Sequence, residues 1–115
     1  MQIDVREAGR LVALTGRLDV VSVADVRLAL HAVVDDGAGD LVLDLSGVES
    51  IDSSGIGVLV GAHRRAGRAG RRLVVAASPV PVLRMLRLTR LDRVLSLSAV
   101  APVVPQPVTP YAAAG

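Results

Sequence analysis

Between Gly39 and Gly70 the apolar residues change period, so a buried strand must give way to a helix within a few residues. Asp40-Leu41-Val42-Leu43-Asp44-Leu45, bounded by Gly39 and Ser46-Gly47, is short, branched and mostly apolar, as a strand buried on both faces reads. Downstream, Ile56, Leu59, Val60 and His63 recur at the three-and-four spacing of one helical face, and Gly67 and Gly70 supply a stop. The segment between them, Ile51-Asp52-Ser53-Ser54-Gly55-Ile56-Gly57, is then a turn running into a helix N-terminus. Asp52, Ser53 and Ser54 are candidate N-caps, because their side-chain oxygens can accept from backbone amides that have no partner in the first turn. The two hydroxyls are expected near the surface.

The remaining segments extend this alternation. Gln2–Val5 and Arg10–Leu14 read as strands joined by Glu7-Ala8-Gly9, a link short enough for an antiparallel hairpin. Thr15-Gly16-Arg17-Leu18-Asp19 leads to Ser22-Val23-Ala24-Asp25, a candidate capping box, after which Val26, Leu30, Val33 and Val34 share one helical face that ends at Gly37. The second helix is expected from about Ser53 to Ala66. Arg72–Ala77 reads as a buried strand, Ser78-Pro79 as the start of a short helix through Val82, Leu83, Leu86 and Arg87, and Val94–Leu97 as a last strand. The fold class is therefore α/β: a four- to five-stranded, mostly parallel sheet with an N-terminal antiparallel hairpin and helices packed on it. Residues 1–98 form the domain. Residues 99–115, with four prolines between Pro102 and Pro110, are expected to be a flexible tail outside the core.

A chain of 115 residues suits one domain with its own core. That core must be built from Val, Leu, Ile and Ala, since Phe and Trp are absent. Without cysteine there is no disulfide, thiolate nucleophile or cysteine-ligated metal, which agrees with a reducing compartment. Asp4, Arg6, Glu7 and Arg10 interrupt any signal-like apolar run, and no later stretch approaches the roughly 18 apolar residues of a membrane span. A cytoplasmic location is expected. All 13 basic residues are Arg, and nine of them lie from Arg64 onward, opposed locally only by Asp92, whereas the other acids fall between Asp4 and Asp52. The halves are expected to form faces of opposite charge. Direct nucleic-acid binding is not favoured, because no aromatic stacking residue, helix-turn-helix or zinc pattern accompanies the arginines.

Three phrases carry a family resemblance: Leu14-Thr15-Gly16-Arg17-Leu18-Asp19, then Asp44 through Gly57, then Leu91-Asp92-Arg93-Val94. Over residues 2 to 98 the chain resembles a STAS domain, specifically a bacterial anti-sigma factor antagonist. The resemblance implies that Ser53, the first hydroxyl after the Asp, is phosphorylated by a partner that is both anti-sigma factor and serine kinase. The unphosphorylated chain would capture that partner and free a sigma factor, and a serine phosphatase would reset phospho-Ser53. Asp19, Asp52, Ser53, Ser54, Gly55 and Ile56 would form the partner surface, which Arg64, Arg65 and Arg68 could border. No cofactor or metal is implied, and the chain would be a substrate rather than an enzyme. The chain departs from the family in having Arg17 where an acidic residue is common, and a proline-rich segment where a further helix is usual.

Other readings of the same residues stay open. Ser53 and Ser54 could simply cap the helix, with Asp52 as N-cap, and Asp19 could belong to an ordinary turn. A STAS module that binds a ligand or scaffold for a signalling complex or a membrane transport system, with no phosphorylation cycle, would show the same fold. A hydrolase built on Ser53 and His63 is disfavoured, because ten residues on one helix separate the two by about 15 Å. His31 has no spaced acid or second His suggesting a metal site. Gly55, Gly57 and Gly61 lack the Lys-Ser/Thr of a phosphate loop and are read as small residues for close helix packing. A homodimer paired through an aliphatic surface is compatible with the sequence.

Overall fold

The structure, a computed structural model, describes residues 1–98. Its elements are β1 (Gln2–Arg6), β2 (Leu11–Leu18), α1 (Val23–Asp36), β3 (Leu41–Ile51), α2 (Ser53–Arg68), β4 (Leu73–Ala76), α3 (Val80–Leu88) and β5 (Ser96–Ser98). The five strands form one sheet in chain order. β1 pairs antiparallel with β2, and every later pairing is parallel. The mostly parallel α/β architecture with an N-terminal hairpin is as the sequence indicates. The proline-rich segment lies outside the described residues.

Alternate residues of β3 and β4, Leu41, Leu43, Leu45, Leu73 and Val75, join residues from all three helices in a single buried cluster. The helices therefore share one face of the sheet. α1 buries Val26, Leu30, Val33 and Val34, the face its spacing predicts. α2 buries Gly55, Ile56, Val58, Leu59, Ala62 and Ala66, leaving Val60 and His63 half-buried at the flank.

Several boundaries differ from the sequence reading. β2 continues to Leu18 through Thr15-Gly16-Arg17, and β3 runs on to Ile51 through Ser46-Gly47, which the sequence presents as its end. The reason is two register shifts between β2 and β3, one between Ala13 and Thr15 and one between Gly16 and Arg17, each of which gives β3 one residue more than its partner. Such bulges shift the alternation of apolar residues without ending the ladder. β4 is confined to Leu73–Ala76, and the last strand falls later, at Ser96–Ser98, after a short 3-10 turn at Leu91–Arg93.

Ser22 occupies the cap position of α1, yet its side chain makes no capping bond, so the capping box with Asp25 does not form. The hydroxyl is engaged behind the helix instead: it donates to the Arg17 carbonyl (2.7 Å) and accepts from the Asp19 amide (3.1 Å). Gly67 lies inside α2 rather than ending it. The stop is Gly70 at φ +72°, where Arg71 N–H bonds the Ala66 carbonyl and Gly70 N–H that of Gly67, a Schellman ending.

The expected division into acidic and basic faces does not hold where α1 and α2 pack. Arg65 forks onto Asp35 (3.0 and 2.6 Å) and Arg72 reaches Asp40 (2.8 Å), so acids of the first half pair with arginines of the second. Arg71 is buried at 5% exposure. It donates to the carbonyls of Gly39, Val33 and Gly9 at 2.8, 2.8 and 2.9 Å, and also to that of Val34 at 3.3 Å. One guanidinium thus ties the end of α1 to the β1–β2 link and to the turn before β3.

Candidate functional site

The parallel pairing of β2 with β3 brings their C-terminal ends together, with Leu18 opposite Ile51. Two connections leave from there: the loop Asp19–Ser22 into α1, and Asp52 directly into α2. The N-terminus of α2 and the first-helix entry therefore meet at one edge of the sheet, where ligands of open parallel sheets commonly bind.

Asp52 is the N-cap of α2 in extended conformation, and its Oδ1 accepts from the Gly55 amide at 3.0 Å. Its other oxygen, Oδ2, accepts from the Val20 amide at 3.2 Å, across 32 positions of sequence. Its own amide donates to the Leu18 carbonyl (3.2 Å). Asp52 thus does local capping and also ties the two connections together. Ser53 is the first residue of α2 and is exposed, whereas Ser54 is half-buried. Among the described residues neither hydroxyl has a hydrogen-bond partner, so the capping is done by Asp52 and the Ser53 hydroxyl is open to reaction.

Asp19 is half-buried in the loop, where its Oδ1 accepts from the amides of Val21 (3.0 Å) and Ser22 (3.3 Å). It builds the turn before α1. Arg17 is exposed at the end of β2, opposite Ser50. A shallow depression of about 370 Å³ runs beside it, lined by Met1, Gly16, Arg17, Asp19, Val21, Ser22 and Glu49.

Gly55 and Ile56 are buried, so their contribution at this edge is to seat α2. A Cβ on Gly55 would collide with the Leu18 carbonyl oxygen and meet Ile51 Cγ1 at 2.7 Å. Close packing is thus the reason for glycine at 55. It is not the reason at Gly57 and Gly61, where a Cβ would meet nothing within 4 Å.

Arg64, Arg65 and Arg68 do not border this edge. They lie in the last turns of α2, roughly 16 Å or more from Ser53 along the axis, and Arg65 is occupied by Asp35. His63 sits in the same helix as Ser53, half-buried, with its Nδ1 enclosed and without a hydrogen-bond partner. No group of three or more His, Cys, Asp or Glu side chains converges among the described residues, and no helix among them is long and apolar enough to cross a membrane.

Sequence reasoning passed over Val20 and Val21, which are 70% and 86% exposed at this edge. The available signal was two adjacent valines placed between a turn-forming Asp and a helix start, where a fold alone calls for polar residues.

Known proteins resemble this chain along most of its length. The family model described as Mlab, STAS domain matches residues 1–100. The anti-sigma-F factor antagonist RsfB of Mycobacterium tuberculosis is 31% identical over 87 residues, which span 76% of this chain and 70% of that protein. An anti-sigma factor antagonist from Mycobacterium paratuberculosis is 28% identical with a TM-score of 0.71, covering 86% of this chain and 84% of that one. A STAS domain protein from Planctomyces limnophilus, at 22% identity, shares the fold with a TM-score of 0.75 over 85% of this chain and 90% of that one. The five-stranded sheet and the hairpin at its start thus have their counterpart in one family, and the chain belongs to the STAS domain family.

Proposed function

We propose that this chain is an anti-sigma factor antagonist whose binding is switched by phosphorylation of Ser53. Relatives at 31% and 28% identity bear the antagonist name. The observation that carries the switch is the exposed, unbonded hydroxyl of Ser53 at the first position of α2, beside a cap that does not need it. In its unmodified form the chain captures an anti-sigma factor through the edge formed by Asp19, Asp52, Ser53 and Ser54, and a sigma factor is released. The anti-sigma factor acts as serine kinase on Ser53, and a serine phosphatase restores the hydroxyl. The chain is the substrate of this cycle, in the cytoplasm, and not its catalyst.

The energetics support this division of labour. Phosphate adds about 1.5 to 2 negative charges, and at a helix N-terminus the dipole and free amides favour an anion by roughly 0.3 to 1 kcal/mol. The fold therefore tolerates the modification. A partner packed against a neutral hydroxyl beside Asp52 does not, because like-charge juxtaposition across an interface costs several kcal/mol, and about 2.8 kcal/mol is already a hundredfold loss of affinity.

The test is mass spectrometry of the chain and of Ser53→Ala after incubation with ATP and candidate anti-sigma kinases. One added phosphate on the native chain alone supports the switch and identifies the kinase. No phosphate on a folded chain with any candidate redirects the reading to a STAS module that binds a ligand or scaffold without a phosphorylation cycle.

A further inference from the structure

On the side of α1 that faces away from the core, and in the loop before it, large apolar residues stand mostly exposed among the described residues. Val20, Val21 and Leu28 are 70%, 86% and 71% exposed, and Ala24 between them is exposed as well. On α1, at 100° per residue, Ala24 and Leu28 share one stripe opposite the buried face of Val26 and Leu30, and Val20 and Val21 stand exposed in the loop that leads into it. The fold gains nothing from an aliphatic side chain at any of these places. Large aliphatic side chains exposed along one stretch of chain are what an interaction site presents.

The loop that leads into the stripe is held rigid. The Val20 amide is bonded to Asp52 Oδ2 and the Val21 amide to Asp19 Oδ1, while the buried Ser22 hydroxyl fastens the loop to β2. β-Branched side chains on a fixed backbone have few rotamers to lose. An anchor ordered in advance loses little entropy on association.

We propose that Val20, Val21 and Leu28 form an apolar ridge that seats this chain in a hydrophobic groove of its anti-sigma factor, with Asp52 holding the front of the ridge in place. This rests on the reading of the chain as an antagonist. The occupant follows from continuity. Val20 is bonded to the residue that precedes Ser53, so a kinase reaching that hydroxyl lies over the valine too. A standard interface covers about 800 Å² on each partner, wide enough to run from the loop at Val20 and Val21 to Leu28, roughly 8 Å along α1 from its first residue, Val23. The exposed charges beside the stripe, Asp25 and Arg27, are of both signs. They suit the mixed rim of a protein groove better than a phosphate surface.

The expected energetics follow from the exposure. Val20→Ser/Val21→Ser together, or Leu28→Ser alone, lowers affinity for the anti-sigma factor at least about tenfold and leaves the melting temperature nearly unchanged, since these side chains are mostly exposed. Asp52→Asn keeps an oxygen for the Gly55 amide and presents an amide group where Val20 N–H needs an acceptor. Exchange of the Val20 amide then accelerates, affinity falls, and the loss is smaller when the valines are already serine. Leu88, 74% exposed on α3, serves as control: Leu88→Ser binds like the wild type.

The experiment is calorimetric titration of the wild type and these variants with the anti-sigma factor, together with amide exchange by NMR and sedimentation of the chain alone. Wild-type binding that survives Val20→Ser/Val21→Ser overturns the ridge and leaves the antagonist reading intact. Absence of wild-type binding overturns both. A chain that dimerises through Val21 and binds the anti-sigma factor equally well with serine there assigns the ridge to a second copy and overturns the proposal.

Discussion

No side chain fits between the α-carbon of Gly55 and the carbonyl of Leu18. An added methyl would collide with that oxygen and meet Leu18 Cγ at 2.9 Å. The oxygen cannot retreat cheaply, because it also accepts from the Asp52 amide. Gly55→Ala is therefore expected to destabilise the chain by about 1 to 3 kcal/mol, as overpacking does. Gly57→Ala and Gly61→Ala, which add a methyl to open space in the same helix, should each stabilise it by about 0.5 to 1 kcal/mol. Urea denaturation of the three variants checks the contrast, and equal stabilities would mean that the close approach is not the constraint.

Ser53 and its neighbour Asp52 should respond oppositely to substitution. Asp52→Ala removes an N-cap and the tie to Val20, at a cost of about 1 to 2 kcal/mol, or roughly 5 to 10 °C in melting temperature for a domain of this size. Ser53→Asp places a negative charge in the first turn, where the dipole favours it, and should melt no lower than the wild type while losing affinity for the anti-sigma factor. Thermal melts and a titration measure the two effects separately. A Ser53→Asp protein that binds as tightly as the wild type would count against charge as the switch.

Arg71 makes a third expectation about stability. Its guanidinium serves four carbonyls, and among the described residues no acid pairs with it. Arg71→Met would leave several of these acceptors buried and unpaired, at a cost of about 3 kcal/mol. Arg71→Lys should recover only part of this, since an ammonium carries three donors and lacks the planar fork. Chemical denaturation at neutral pH would rank the three chains, and a methionine variant as stable as the native one would contradict the role.

The α1–α2 contact carries the pH dependence. His31 is pushed below its ordinary value of 6.5, first by burial and then by Arg65, with Arg27 and Arg68 adding to the effect and Asp35 opposing it. The unfolded chain thus takes up that proton more readily than the folded one. Stability is complete above the ordinary histidine value and declines as pH falls below it. Asp35 is held below the ordinary carboxylate value of 3.8, chiefly by its hydrogen bond to Arg65, so its contribution persists until pH falls beneath that range. His31→Gln should therefore flatten the stability profile just below neutrality, and Asp35→Asn should alter it only in acid. An NMR titration placing His31 at or above 6.5 would refute this account.

The sequence revealed most of the parts and less of their joins. The inner face of α1 follows from the spacing of Val26, Leu30, Val33 and Val34, because nothing interrupts its period. β3 appears cut short at Leu45 because the two bulges displace the next inward residues to Val48 and Ile51, breaking the two-residue rhythm while the pairing continues. Asp52 is legible as a cap from its place before Ser53, but its bond to Val20 depends on the register of β2 with β3, which no local pattern encodes. Arg71 reads as one more charge in a basic half. That it is buried depends on carbonyls from the end of α1, the β1–β2 link and the turn before β3, and a burial of this kind leaves no trace in composition.

β3 continues well past its last residue paired with β4: Asp44 faces Ala76, and from Leu45 to Ile51 the strand is laddered, among the described residues, only to β2. β1 in turn covers β2 only as far as Thr15, opposite Gly47, so Ser53 stands just past the tip of a two-strand prong, Gly16–Leu18 with Val48–Ile51, about 10 Å long, rather than on the rim of a broad platform. A prong of two strands can fray while the five-strand body stays folded, so amide exchange at Val48 and Ser50 would run ahead of exchange at Leu43. Whatever grips both Val20 and the start of α2 would clamp the prong shut, and the slowing of that exchange would serve as a clock for how long the grip lasts.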